Sequence, residues 1–226
     1  EGELPCLVAS VESLQQRTLP PDVLKQATLE LVTGQQIDLN DLAARLTAAG
    51  YTRCQQVEGP GQFALRGGIL DVFSPAMDAP VRAEFWGDEV DAMGSFDPAT
   101  QRRTENLDRA VLLPGAETLP QALKATLEAD REALEQGRSL PAVDRYLPLI
   151  YPALTTAADY LPLDACVLFS ESSRVAERAK TYQWQMEEDV KTLLERGELD
   201  GSCGDLSRSF AQLNQVLENW PVAYLD

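Results

Sequence analysis

Carboxylates and arginines are the side chains that could do chemistry here, because the sequence contains no histidine. Without imidazole, the commonest general base, nucleophile partner and zinc ligand is missing. The four cysteines, Cys6, Cys54, Cys166 and Cys203, form no CxxC pair, which is typical of scattered thiols in a reducing compartment. The sequence therefore disfavours most catalytic triads and zinc sites, and it predicts a cytoplasmic location.

The sequence also lacks the residues that a phosphate-binding P-loop needs. Such a loop needs glycine-rich backbone and a lysine that reaches the phosphates, and the sequence has no Gly-Lys dipeptide. The stretch Gly59-Pro60-Gly61 precedes a predicted strand rather than a helix, so we interpret it as a turn. We therefore predict no cofactor in this chain.

Two carboxylate clusters remain, Asp88-Glu89-Asp91 and Glu187-Glu188-Asp189. Either could hold a divalent cation or perform acid-base work, which would make the chain an acidic metal- or carbohydrate-handling enzyme. Adjacent charges on a turn or helix more often form a solvated face, and neither cluster has the spacing of a calcium-binding EF-hand. We expect no metal site and keep this enzyme hypothesis as an alternative.

Arginines supply every positive charge between residues 28 and 113, where no lysine occurs. They are Arg45, Arg53, Arg66, Arg82, Arg102, Arg103 and Arg109. The two-residue period of a strand places Arg82, Glu84 and Trp86 on one face. Arg66, at the end of another predicted strand, would project beside them if the two strands are neighbours. Arginine beside tryptophan is typical of a protein interface hot spot. In the alternative, Arg82 pairs with Glu84 or Asp91 inside the sheet and Trp86 covers the core; the pattern alone does not choose.

The length and the net charge of the chain limit the functions that these residues can have. The 226 residues can form one large or two small domains, and 44% of them are apolar, as in ordinary globular proteins. The chain has 19 basic and 36 acidic residues. Its net charge of -17 therefore gives no general attraction to nucleic acid phosphates. No apolar run is long enough for a membrane span, and no signal peptide is visible. The chain begins at Glu1 without methionine, so we expect a fragment of a longer protein.

The central part of the sequence predicts a small meandering sheet. Asp38 or Asn40 can cap a helix over residues 39–49 that ends at Gly50. Five short strands follow, bounded by Gly, Pro and Asp: Gln62–Leu65, Ile69–Phe73, Val81–Trp86, Glu89–Phe96 and Val111–Leu113. The pair Gly87-Asp88 predicts a hairpin turn, and a domain boundary is expected near Leu113.

The outer parts predict an α/β layer. We expect a strand over residues 6–10 with a helical turn over 11–14, a helix over 119–136, and a helix over 210–217 that leads into a strand over 222–225. The apolar run 165–169 is typical of a strand buried on both faces of a parallel sheet, and a long helix follows over 171–196.

Three segments, residues 59–73, 81–90 and 95–102, resemble the UvrB-like module of the Mfd family of bacterial transcription-repair coupling factors. The excision-repair protein UvrB has a related strand and hairpin, and a fragment of UvrB is the runner-up hypothesis. The forms GQFALRGG at 61–68, SFDPATQR at 95–102, DRYLPLIY at 144–151 and DYLP at 159–162 favour the coupling factor.

This resemblance implies an α/β fold in which residues 1–27 and 114–226 belong to a degenerate RecA-like domain. Residues 28–113 would then be an inserted small α+β domain with an antiparallel sheet that binds UvrA, the damage-recognition ATPase. The family's UvrA-contacting arginines fall on Arg66 and Arg82, and its aromatic contact falls on Trp86, where many relatives have phenylalanine.

The resemblance also implies that this chain is an adaptor without enzymatic activity of its own. It would recruit UvrA to stalled RNA polymerase in transcription-coupled nucleotide excision repair. In the full-length family members a C-terminal region masks the UvrA-binding surface until RNA polymerase is engaged. ATP, Mg²⁺ and DNA are bound by the motor domains of that longer parent, an ATP-dependent DNA translocase.

Overall fold

The computed structural model describes residues 6–117, 127–135, 140 and 143–225 of the chain. Within these residues the α-helices are α1 Val11–Gln15, α2 Pro21–Ala27, α3 Leu39–Ala48, α4 Glu128–Glu135, α5 Leu147–Ile150, α6 Ser172–Glu195 and α7 Phe210–Leu217. The strands are β1 Leu29–Val32, β2 Thr52–Arg53, β3 Gln62–Arg66, β4 Ile69–Phe73, β5 Val81–Trp86, β6 Glu89–Phe96, β7 Arg103–Asn106, β8 Arg109–Leu112, β9 Val167–Ser170 and β10 Val222–Leu225. The fold is thus of the mixed α/β class, as predicted.

The chain divides into two compact units. The sheet unit spans Asp22–Leu123, and the flanking unit combines Glu1–Pro21 with Lys124–Asp226. The predicted inserted domain, residues 28–113, lies wholly inside the sheet unit, whose bounds extend further at both ends.

The sheet unit is built on a six-stranded sheet of order β2-β3-β4-β5-β6-β7. All its neighbouring strands are antiparallel except β2, which runs parallel to β3. The predicted antiparallel sheet is therefore confirmed. The pattern missed β7, whose four residues are all exposed, and it missed the separate antiparallel pair of β1 with β8.

One face of this sheet carries the core of the sheet unit. Alternate strand residues pack there with the buried side of α3 and with β1 and β8, and the buried members include Leu31, Leu42, Leu46, Phe63, Leu70, Val72, Val81, Ala83 and Leu112. The Asp38 carboxylate caps α3 by accepting hydrogen bonds from the amides of Asn40 and Asp41, at 2.9 Å each. Gly50 follows the helix with a φ of 87°, which favours glycine.

The flanking unit has its own core. Its fully buried side chains include Ala158, Ala179 and Leu213, and they bring α6 and α7 together with β9. The strands β9 and β10 pair in parallel, which agrees with the parallel sheet predicted for residues 165–169. The expectation of burial on both faces was wrong, because only the face with Phe169 packs on this core, and Leu168 on the other face is 62% exposed.

Two further expectations concern the flanking unit. The predicted opening strand was wrong, because residues 6–10 pair with no strand and Leu7 and Val8 are exposed. The predicted helix over 119–136 coincides with α4 at its C-terminal end, while residues 119–126 and 136 lie outside the described residues. Within the described part of the chain, no helix has both the length and the apolar character needed to cross a membrane.

Candidate protein-docking site

The second face of the six-stranded sheet brings the predicted site residues into one region. On β4 and β5, Asp71 stands directly opposite Arg82. At the next position on this face Arg66 is opposite Ile69, which is opposite Glu84. Trp86 lies two residues beyond Glu84 on β5 and therefore belongs to the same face. We call Arg66, Ile69, Asp71, Arg82, Glu84, Trp86 and Arg103 the docking face.

Asp71 is the centre of this face. Its side chain is only 1% exposed, and a buried carboxylate is unfavourable unless it is paired and hydrogen-bonded. The Arg82 guanidinium donates through Nε to Oδ1 at 2.6 Å and through Nη2 to Oδ2 at 2.8 Å. The Arg66 guanidinium donates to the same Oδ2 at 2.6 Å. One buried carboxylate thus holds both arginines in place.

Arg82 is almost entirely committed to this internal network. Besides Asp71 it donates to the main-chain oxygen and to Oε1 of Gln101, at 3.3 and 2.9 Å, and its guanidinium lies 4.5 Å from the centre of the Phe96 ring. Hydrogen bonding to Asp71 raises the pKa of Arg82 above its ordinary value. With only 20% of its side chain exposed, Arg82 positions its neighbours more than it offers a free binding group.

Arg66 and Trp86 are accessible to a partner. Half of the Arg66 side chain is exposed, and among the described residues Arg66 forms an ion pair with Asp71 alone. Trp86 is 84% exposed and immediately precedes the hairpin turn, where Gly87 adopts a φ of 64°. Such a φ suits glycine in a two-residue hairpin turn. The face therefore offers a half-exposed guanidinium and a large exposed indole to a partner.

The structure supports the alternative weighed for this face only in that Arg82 forms an ion pair inside the sheet; the expected partners and the expected place of Trp86 were wrong. Arg82 pairs with Asp71, whereas Glu84 pairs with Arg103 at 3.2 Å. Trp86 does not cover the core, since it is largely exposed. The hypothesis of an exposed arginine and tryptophan on one face therefore remains for Arg66 and Trp86. Arg82 is on the same face but is mostly covered.

Sequence reasoning missed the residues that organise the docking face. Asp71 is a carboxylate in the middle of the apolar strand Ile69–Phe73, which was a usable signal for a buried ion pair. Gly94, inside β6, was a second signal, because a glycine within a strand often marks a close approach. A Cβ at Gly94 would lie 2.7 Å from Nε of Arg103, so this side chain crosses the sheet over the glycine to reach Glu84.

The carboxylate clusters gain no support as chemical sites. In the part of the chain that the structure describes, no three His, Cys, Asp or Glu side chains are arranged to hold a metal ion. Glu89 of the first cluster accepts a hydrogen bond from the Gln36 amide at 2.8 Å, which is a structural role. Asp189 of the second cluster accepts one from Gln185 on the same helix at 2.9 Å.

Comparison with known proteins agrees with the position of this face. Residues 29–117 match the family described as the UvrB interaction domain, and these residues contain the whole docking face. The transcription-repair-coupling factor of Bacillus subtilis is 28% identical over 96% of this chain, the match taking in 21% of that protein. Those of Myxococcus xanthus and Mycobacterium tuberculosis are 33% and 34% identical over 80% and 76% of this chain.

The chain spans between 16% and 21% of the length of these curated relatives. The resemblance predicted from the sequence, to the UvrB-like module of bacterial transcription-repair coupling factors, is confirmed.

Proposed function

We propose that this chain, as a segment of the transcription-repair-coupling-factor family, is a protein-docking adaptor whose sheet unit binds UvrA. The single observation that carries the proposal is the exposed Trp86 on the same sheet face as the half-exposed Arg66. The Trp86 side chain is 84% exposed, so a partner that covers it would bury a large apolar area.

The chemistry of the face fits a protein partner. Tryptophan and arginine are the residue types that most often dominate binding energy at protein interfaces. Arg66 keeps exposed donors for a partner carboxylate or carbonyl, while Asp71 fixes its position and reduces the entropy lost on binding. The net charge of -17 opposes an extended phosphate backbone as the main ligand.

In the longer parent protein this docking would recruit UvrA to stalled RNA polymerase during transcription-coupled nucleotide excision repair. We assign no catalytic step to the described residues. The other partners expected from the family resemblance, namely RNA polymerase, DNA, ATP with Mg²⁺ and a masking C-terminal region, would act through other parts of the parent.

The proposal is tested by titrating the purified chain into UvrA in a calorimeter. We expect a stable complex, and we expect Trp86→Ala and Arg66→Ala each to weaken it about 30-fold, which corresponds to roughly 2 kcal/mol. Trp184→Ala is the matched control, because Trp184 is an exposed tryptophan on α6 of the flanking unit. Its affinity should equal that of the unmodified chain.

Two outcomes would count against the proposal. If no complex forms at micromolar concentrations, the adaptor function is wrong. If a complex forms but Trp86→Ala and Arg66→Ala both bind like the unmodified chain, the docking face is not the UvrA-binding site.

A further inference from the structure

A concavity beside the docking face, at the edge of the sheet, has no assigned role. It has a volume of about 620 Å³ and is lined by Arg53, Cys54, Gln55, Gln56, Leu65 and Arg66. We propose that this edge concavity binds an acidic side chain of the docked partner between Arg53 and Arg66. The inference rests on the proposed function. It adds Arg53 to the proposed UvrA-binding site, and it names a carboxylate side chain as the group bound there.

The concavity forms because β2 is a very short edge strand. Only Thr52 and Arg53 pair with β3, in parallel register with Gln62 and Phe63. The chain leaves the sheet after Arg53, so the last part of β3, which ends at Arg66, has no neighbour on that side. The space left beside Leu65 and Arg66 is the concavity.

The two arginines give this space a positive charge. Arg53 is exposed and forms no ion pair with any residue that the structure describes. Arg66 is held on one side by Asp71, whose charge is already shared with Arg82. The concavity is thus lined by two arginines, one without an ion pair to any described residue and one half-exposed, on a chain with a net charge of -17.

The other lining groups do not cancel this charge. Burial raises the pKa of the Cys54 thiol, so it stays neutral at physiological pH. Its Sγ donates to the main-chain oxygen of Phe63 at 3.3 Å and is therefore occupied. Gln55 and Gln56 are exposed amides that can donate further hydrogen bonds. The charge of the exposed Glu58 carboxylate also raises the pKa of the Cys54 thiol, so this side chain lies near the concavity.

A carboxylate is the ligand that this chemistry favours. A guanidinium binds a carboxylate through two parallel hydrogen bonds, so each of the two arginines that line the concavity can hold such a group. A phosphate would also fit the donors, but the negative charge of the chain opposes approach of a phosphate backbone. An aspartate- or glutamate-bearing segment of the docked protein is therefore the proposed ligand.

The test compares Arg53→Glu with Arg45→Glu in the UvrA titration at low and high salt. Arg45 is a matched control, since it is exposed, forms no ion pair with the described residues and lies on α3, outside the lining of the concavity. We expect Arg53→Glu to weaken binding at least tenfold at low salt, with a smaller deficit at high salt. Arg45→Glu should remain within about twofold of the unmodified chain. Thermal unfolding of each variant establishes that it is folded.

The possible results separate this inference from the proposed function. If Trp86→Ala weakens the complex while Arg53→Glu does not, the edge concavity is empty in the complex and this inference is wrong, although the docking face stands. If Arg53→Glu and Arg45→Glu weaken binding equally, the effect is one of overall charge and the inference is again wrong. Selective weakening by Arg53→Glu supports it.

Discussion

Replacing Arg82 with alanine is expected to destabilise the sheet unit by about 2–4 kcal/mol. Removing one partner of a buried ion pair typically costs about 3–5 kcal/mol, because the other charge stays buried and unpaired. Here Asp71 keeps its bond to Arg66, and the Arg82 side chain is 20% exposed, so both facts lower the expected loss. Loss of the contact with the Phe96 ring adds about 0.5–1 kcal/mol.

The measurement is urea unfolding followed by circular dichroism, combined with hydrogen exchange of the amides in β4 and β5. Exchange reports on the sheet unit separately, which matters because the chain has two compact units. Arg66→Ala is the control, with an expected loss of about 0.5–1 kcal/mol for a half-exposed ion pair. If Arg82→Ala and Arg66→Ala have equal stability, the reasoning about Asp71 is refuted.

Adding Asp71→Ala to Arg82→Ala should recover part of the lost stability, because the unpaired buried charge is removed.

Other predictions concern single positions. Gly94→Ala should destabilise the sheet unit by about 1–3 kcal/mol in the same urea assay, because its Cβ would overlap the main-chain oxygen of Glu105. Leu213→Ala should lower the free energy of unfolding of the flanking unit by about 2–5 kcal/mol, since this side chain is fully buried. Hydrogen bonds from the two amides that follow Pro98 lower the pKa of Asp97, so its stabilisation is complete above the ordinary carboxyl pKa of about 3.9 and is lost as the pH falls through the lowered value. The stability difference between the unmodified chain and Asp97→Ala, measured by urea unfolding from pH 7 to pH 2, should therefore shrink at acid pH.

Local patterns predicted most of the sheet unit because its signals lie within a few residues of each other. The alternation in Val81–Trp86 identified β5, and Asp38 and Gly50 identified the ends of α3. Trp86 could be placed on the same face as Arg82 from the strand period alone.

What sequence could not supply is the register between strands. Asp71 stands opposite Arg82 only because β4 and β5 pair with that alignment, and no local pattern specifies it. The same limit explains why Glu84 and Asp91 were considered as partners of Arg82, since both are near it in the sequence. The exposure of Leu168 was missed for a related reason, because an apolar run does not tell how many faces of its strand are covered.

The commitment of Arg82 to Asp71 leads to a prediction that separates stability from binding. Suppose that Arg82→Ala loses about 3 kcal/mol of an initial stability of about 6 kcal/mol. The unfolded fraction then stays below about 1%, so unfolding alone leaves the affinity for UvrA almost unchanged. Since the donors of Arg82 are occupied inside the sheet, we expect calorimetry to show a loss of less than about fivefold for Arg82→Ala, smaller than for Trp86→Ala. A loss of 30-fold or more in a variant that is still folded would mean that Arg82 leaves Asp71 in the complex and contacts the partner itself.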